Sequence, residues 1–274
     1  MATANSCSIH PVPGKRRNSG SGSGSTRLNP KAEPLESGKT LRNSSAREVT
    51  EFLHDLHPFN SLPPSQIETL AASCRFATIP AGEYIRAEGE EQTMGFVVAS
   101  GRFAMMKTSL NGKELVVELL PPRDIFGLLV ALHPIPAQLS ARAQIKSRVL
   151  WMPCSSLASS LHVNPGLYED FTGHLLCSLF SSYNLARGLA HDRVEVRIAA
   201  VLSSLALKFA RTGPAQCPPV IDITRQQIAD LTGTTPETAI RVTRHMQTGG
   251  ILEMSHPGVI KVVDLKMLQA LAEE

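Results

Sequence analysis

The chain has 274 residues, 42% of them hydrophobic, with a formal net charge of +3; that length suits two domains better than one. No run of about eighteen apolar residues occurs, so no membrane span is expected, and the N-terminus lacks the charged-then-apolar pattern of a secretion signal, which reads as a cytoplasmic protein. The five cysteines (Cys7, Cys74, Cys154, Cys177, Cys217) are scattered without a C-x-x-C pair, which argues for free thiols over a zinc site or disulfide framework.

Residues 1–50 hold eight Lys or Arg against three Glu, a charge of +5 that leaves −2 for the rest. GKRRNSGSGSGSTRLNP is rich in Gly, Ser and Pro and nearly without aliphatic side chains, so a disordered basic tail is expected over 1–50. SGSGSG is linker composition, since a phosphate loop needs a strand before it and a helix after it. Lys15-Arg16-Arg17 is read as solvated leader. The pI of about 8.6 therefore says nothing about nucleic-acid binding by the folded part.

From Ser65, SQIETLAASC reads as an amphipathic helical turn. Residues 76–150 then alternate short apolar runs with punctuation at Gly82, Gly89, Gly101 and Asn111-Gly112, the pattern of an antiparallel β-barrel or sandwich. Asn111-Gly112 is a hairpin signal, because both positions of a tight turn want positive φ. Pro121-Pro122 marks a turn that no central strand contains.

After Pro153 the period changes. Leu167, Phe171, Leu175, Leu179, Leu185 and Leu189 recur at helical steps, predicting a helix of roughly 25 residues, about 35–40 Å long. Between two compact modules such a helix reads as a coiled-coil seam joining two copies of the chain; the alternative is a helix packed on its own barrel. RVEVRIAAVLSSLALKFA follows, with a stripe of Ile198, Val201, Leu202, Leu205 and Phe209 and with Arg197, Ser204 and Lys208 off it. RTGPAQCPP ends it.

Thr224 with Gln227 three residues on is a capping-box pattern. Ile228, Ala229 and Leu231 supply a short buried face and Gly233 stops this helix. Thr235 then reads as the N-cap of the next, with Pro236 at its first position. Two short helices joined around a glycine make a helix-turn-helix. Gly249-Gly250 ends the second, and ILEMSHPGVIKVV is a hairpin turning at Pro257-Gly258, the wing of a winged helix. Ala239, Val242, Thr243 and Met246 fall at i, i+3, i+4 and i+7 and are expected in the core. Glu237, Thr238, Ile240, Arg241 and Arg244 occupy the other side. An arginine fork donates two bonds to guanine O6 and N7, and a carboxylate accepts from cytosine N4. A solvated Glu–Arg pair four residues apart is worth only a few tenths of a kcal/mol. With cap, turn and wing in register, the face reads as a DNA-reading surface.

These residues carry a resemblance. Residues 193–271, above all ITRQQIADLTGTTPETAIRVTRHMQTGGIL and the wing GVIKVVD, resemble the C-terminal domain of the Crp–Fnr family of bacterial transcription regulators, nearest its Fnr-like branch. With the upstream order, the resemblance covers about residues 52–271. It implies an α+β fold: an antiparallel β-roll of the cyclic-nucleotide-binding kind at 51–164, a dimerisation helix at 165–190 and a winged helix-turn-helix at 191–274. Glu237 and Arg241 would then read bases, while Thr224, Gln226, Thr235 and Thr238 would lie near phosphates, with Ile240 and Arg244 beside them. Ile240 departs from the Ser or Gly usual there; an apolar side chain suits a thymine methyl. The partners implied are double-stranded DNA with a two-fold symmetric site, a second copy of the chain, and RNA polymerase.

The sensor half departs from that family. Its cyclic-nucleotide binders carry Gly-Glu and then, about ten residues on, an arginine motif; here Gly127 precedes Leu128, and Gln138-Leu139-Ser140 stands at the second place. Without acid and arginine a cyclic nucleotide would bury an uncompensated charge, so none is expected, although Arg142 is an available substitute. An iron–sulfur cluster needs several cysteines near the N-terminus, and only Cys7 lies there. Haem stays open, with His133 beside Pro134, or His54 and His57, as ligands, and Cys74 or Cys154 is a candidate redox thiol. The effector is unknown. The rival reading is a ligand-binding regulatory subunit whose winged helix mediates protein contacts. An enzyme is not expected: no P-loop, G-x-S-x-G, H-E-x-x-H or paired acids in a cleft occur.

Overall fold

The computed structural model describes residues 45–109, 111–112, 114–133, 135–212, 218–256 and 258–273. The expected tail thus lies outside the described residues up to position 44, including Lys15-Arg16-Arg17 and Cys7, as does Cys217. Its expected end at residue 50 is corrected. Ser45 caps a first helix, α1 (Ala46–His54), by accepting from the Glu48 amide, and Val49 is fully buried. Basic composition hid an amphipathic start whose apolar face needed a partner outside the segment.

After α2 (Pro64–Ser73) come eight strands: β1 (Arg75–Ile79), β2 (Tyr84–Arg86), β3 (Met94–Ser100), β4 (Phe103–Thr108), β5 (Glu114–Leu120), β6 (Ile125–Phe126), β7 (Ser140–Ala143) and β8 (Ser147–Pro153). They form two antiparallel four-stranded sheets, ordered β1-β8-β3-β6 and β2-β7-β4-β5. The β4–β5 hairpin forms where Asn111-Gly112 predicted it, through a longer loop. Thr108 pairs with Glu114, and the Gly112 amide, at φ 76°, donates to the Ser109 carbonyl at 2.9 Å. Gly101, between β3 and β4, has φ 87°, and a Cβ there would lie 2.3 Å from Ser147 Oγ, so only glycine fits that turn.

Three cores share these strands. Phe96, Phe103, Met105, Phe126, Val149 and Trp151 fill the roll between the sheets. Successive side chains of a strand point to opposite faces, so Val97, Leu150 and Met152 instead meet α1, α2 and α3 (Cys154–Val163). On β4 and β5, Ala104, Met106, Val116 and Leu119 join the core of the C-terminal half. Burial on both faces is why FVV, FAMM and VLWM are continuous apolar runs rather than alternating ones.

The long helix is α4 (Pro165–His191), 27 residues. Leu167 and Phe171 pack on the chain's own roll, Phe171 against Phe59 at 5.8 Å between ring centroids. Further along, Leu176, Leu179, Phe180 (58% exposed) and Tyr183 (60%) face outward. Then follow α5 (Val194–Thr212), β9 (Val220–Asp222), α6 (Arg225–Thr232), α7 (Pro236–Thr248), β10 (Leu252–His256), β11 (Val259–Val262) and α8 (Leu265–Leu271). The sheet β10-β11-β9 is the expected wing with one added strand. Pro257 lies outside the described residues, and Gly258 turns at φ 83°.

Candidate nucleic-acid interface

The capping box at α6 forms as predicted. Thr224 Oγ1 accepts from the Gln227 amide at 3.2 Å, and Gln227 Oε1 accepts from the Thr224 amide at 2.9 Å. Gly233 ends α6 in the left-handed region, φ 60° and ψ 40°, its amide donating to the Ala229 carbonyl. Two residues later Thr235 caps α7 by accepting from the Thr238 amide at 3.3 Å, with Pro236 at the first position. A short turn locked by caps on both sides sets the angle between the helices.

Ala239, Val242, Thr243 and Met246 are all buried. Thr243 is satisfied by donating to the Ala239 carbonyl at 2.8 Å, so the hydroxyl costs the core little. This seats α7 firmly. Its opposite side exposes Glu237, Ile240, Arg241 and Arg244, with Thr238 half-buried, and at α6 Thr224 and Gln226 are exposed. Gln226 donates to Asp230 at 2.8 Å.

Among the described residues no ion pair joins Glu237 to Arg241. The carboxyl sits in the first turn of α7, where its own backbone amide and the Thr235 hydroxyl hold it below the usual carboxylate range. This is the favourable end of the helix dipole for an anion. The surface therefore presents an ionised acid and a guanidinium that do not neutralise each other.

Beside them, Arg225, Ile240, Thr243, Arg244, Gln247 and Met254 line a cleft of about 270 Å³ between α7 and the wing. Arg225, donating to Met254 Sδ at 2.9 Å, was missed by the sequence reading. Its place as the basic first residue of a capped helix was the available signal.

Two side chains read as lying off the apolar stripe of α5 are bridges. Arg197 donates to the Thr232 and Asp192 carbonyls, both at 2.9 Å. Lys208 pairs with Glu118 on β5 and with Asp124 at 3.3 Å, just before β6. Gln227 also donates to Gln144 at 3.0 Å, and Arg102 Nη1 lies 3.6 Å from Asp222. The winged half is thus docked on the outer face of β4 and β5 by an apolar core ringed with polar bridges.

In the sensor half, Gly127 has φ 74° and Leu128 is buried in the helical core. Gln138 is exposed, and the Leu139 carbonyl accepts from Arg86 Nε at 3.2 Å. Ser140 Oγ accepts from the Glu88 amide at 3.0 Å, and Arg142 pairs with Glu114 at 3.2 Å. Buried Arg86 lies 5.8 Å from the Phe126 ring centroid, with the Gln92 amide oxygen turned to accept from it at 2.6 Å. Burial lowers its pKa to about 10. His54, His57 and His133 are exposed. Burial pushes the Cys74 thiol up to about 11 and raises that of Cys154. Both shifts oppose thiolate formation, which corrects the redox-thiol reading of these two residues.

Fold and site together define a class, regulators in which a β-roll carries a winged helix-turn-helix. Comparison with known proteins narrows it. A family model of the Crp-like helix-turn-helix domain matches residues 196–271, and one of the cyclic nucleotide-binding domain matches residues 76–162. The chain is 27% identical over 190 residues to a CRP-like cAMP-activated global transcriptional regulator of Mycobacterium tuberculosis, covering 69% of this chain and 85% of the relative. It is 24% identical over 214 residues to the Cyclic AMP receptor protein of Thermus thermophilus, covering 78% and 95%. In fold it is similar to FixK2 from Bradyrhizobium japonicum, with a TM-score of 0.63 at 22% identity over 72% of this chain and 96% of that one. The two matched domains, in this order along the chain, and the regulators it is similar to are those of the Crp–Fnr family of transcription regulators.

The ligand for which the matched sensor domain is named does not fit the residues present. Leu128 turns into the helical core, Ser140 and Arg142 are held by Glu88 and Glu114, and the roll interior is packed with rings. Phe96 and Phe126 stack at 5.0 Å, and Trp151 meets Phe96 edge-on at 5.1 Å. Among the described residues, no carboxylate stands at position 128 for a ribose hydroxyl, and Arg142 is paired with Glu114 rather than free for a cyclic phosphate.

Proposed function

We propose that the protein is a homodimeric, sequence-specific DNA-binding regulator that acts on transcription by RNA polymerase. The observation that supports this best is the state of α7. One face is locked into the core, and the other presents Glu237 and Arg241 unpaired, one helical turn apart, at the helix start where a recognition helix meets base edges. Thr224, Gln226, Thr235, Thr238 and Arg244 flank them as phosphate contacts. Arg225 joins them at the cleft beside the wing.

The outward stripe of α4, Leu176, Leu179, Phe180 and Tyr183, is the seam for a second copy. Contiguous apolar surface of this kind marks an association site. Two copies related by a two-fold axis read a symmetric site with half-site centres about one DNA turn apart. A signal reaching the roll acts by favouring one arrangement of the winged halves over another, since equal affinity for both would shift nothing. The bridges from Lys208, Gln227 and Asp222 to the roll are where that preference is felt.

The test is binding to duplexes selected by the protein from a random pool, followed across salt concentration. Specific binding that weakens with salt and is lost selectively in Arg241→Ala supports the reading. Equal binding of all duplexes, or an unaffected Arg241→Ala variant, overturns it in favour of a winged helix that contacts protein.

A further inference from the structure

Ile240 stands out on the exposed side of α7. Its neighbours there are a carboxylate three residues before it, a guanidinium one residue on and another four residues on, yet this branched apolar residue is 36% exposed. It adds nothing to helix propensity, where β-branched residues are mildly unfavourable. Nor is it core: the core-facing positions are Ala239, Val242, Thr243 and Met246. It forms part of the wall of the cleft between α7 and the wing, with Met254 a second apolar group and Arg225 and Arg244 charged groups of the same cleft.

An isoleucine neither donates nor accepts a hydrogen bond. The apolar feature that a pyrimidine offers in the major groove is the 5-methyl group. Isoleucine in a helix holds essentially one rotamer, so it meets such a group at little entropic cost. We propose that Ile240 selects a 5-methylpyrimidine in each half-site by apolar contact and is thereby a specificity-determining residue of this surface. The inference rests on the DNA-reading function proposed above. Thymine and 5-methylcytosine carry the same methyl group, and the two arms of the experiment separate them.

Duplexes are first selected from a random pool with the full chain. In one arm, each thymine of the selected half-site is replaced in turn by deoxyuridine, which removes only the methyl group. In the other, each cytosine is replaced by 5-methylcytosine. At one position per half-site, loss of the thymine methyl, or gain of the cytosine methyl, is expected to change affinity about fourfold, and about 15-fold when both half-sites are altered. In Ile240→Ser and Ile240→Ala the same replacement is expected to change affinity by less than about 1.5-fold, with the thermal midpoint of each variant showing that it is folded. A methyl dependence that disappears in both variants supports the inference. No methyl-dependent position, or one that persists unchanged in both variants, overturns it while leaving DNA reading intact. Failure to select any sequence, or an Arg241→Ala variant that binds the selected site as well as the parent, overturns DNA reading itself and this inference with it.

Discussion

Replacing Lys208 by Met removes the cation of the bridge between α5 and the roll while keeping the length of its apolar stem. Lys208 stands 3.3 Å from Asp124 and pairs also with Glu118, with 29% of its side chain exposed against 19% for Asp124 and 36% for Glu118. Breaking a fully buried pair from one side costs about 3–5 kcal/mol, whereas an exposed pair is worth about 0–1 kcal/mol. The intermediate exposure puts Lys208→Met at about 1–2 kcal/mol, a fall in melting temperature of about 3–6 °C. The loss should depend on pH. Burial, followed by Glu118, raises the Asp124 pKa, and Lys208 opposes both. Without Lys208 the Asp124 carboxyl binds its proton more readily in the folded than in the unfolded state. Folding therefore regains stability as pH falls through that raised value. The Lys208→Met defect should be largest at and above neutral pH and shrink towards acid. Calorimetry of the parent, Lys208→Met, Asp124→Asn and the double variant between pH 5 and 8 (chosen to bracket a raised carboxylate) is the assay. A Lys208→Met defect that is absent, independent of pH, or simply additive with Asp124→Asn would refute the reasoning.

Arg241→Ala should cost about 1–3 kcal/mol of specific affinity and relax selectivity at one base pair, read by competition among single-base variants of the selected site. Gly233→Val forces a branched residue to φ 60° and sets its Cβ 3.0 Å from Leu189 Cδ2; denaturant unfolding should show a loss of about 1–3 kcal/mol. Phe180→Glu places a charge in the exposed α4 stripe and should shift the chain from dimer to monomer in sedimentation, with folding retained because this side chain is 58% exposed in the single chain. The Glu237 carboxyl is held below the usual range by the amide at the start of α7 and by Thr235. Its small contribution to folding is present above the ordinary carboxylate pKa and is lost as pH falls through the lowered one. An NMR titration of its side chain should find that lowered midpoint, and Thr235→Val should bring it back up.

Much of the winged helix was legible because its signals are local. A threonine three residues before a glutamine, a glycine after a short apolar face, and a threonine-proline pair each satisfy backbone groups within a few residues, and each occurs in the structure where the spacing predicted. The helical period from Pro165 predicted α4 to within two residues at its end. Local signals erred where the missing partner was distant. Ala46–His54 looked like the end of a polar tail because the core that receives Val49 and Leu53 comes from the roll. Arg197 and Lys208 read only as positions off the apolar stripe because Thr232, which Arg197 reaches, and Glu118, which Lys208 reaches, lie 35 and 90 residues away in the chain.

By itself the sequence determined the caps and turn of the helix-turn-helix, the long helix after Pro153, and which side of α7 is polar. Those properties follow from backbone hydrogen bonding and side-chain periodicity within a dozen residues. Only the tertiary structure decided that β4 and β5 serve two cores at once, that the winged half docks on the roll, that Leu128 turns away from the sensor interior, and that Glu237 answers to the helix start rather than to Arg241. The physical reason is the same in each case. Burial and electrostatic pairing depend on which groups meet across long stretches of chain, and no local spacing encodes that meeting.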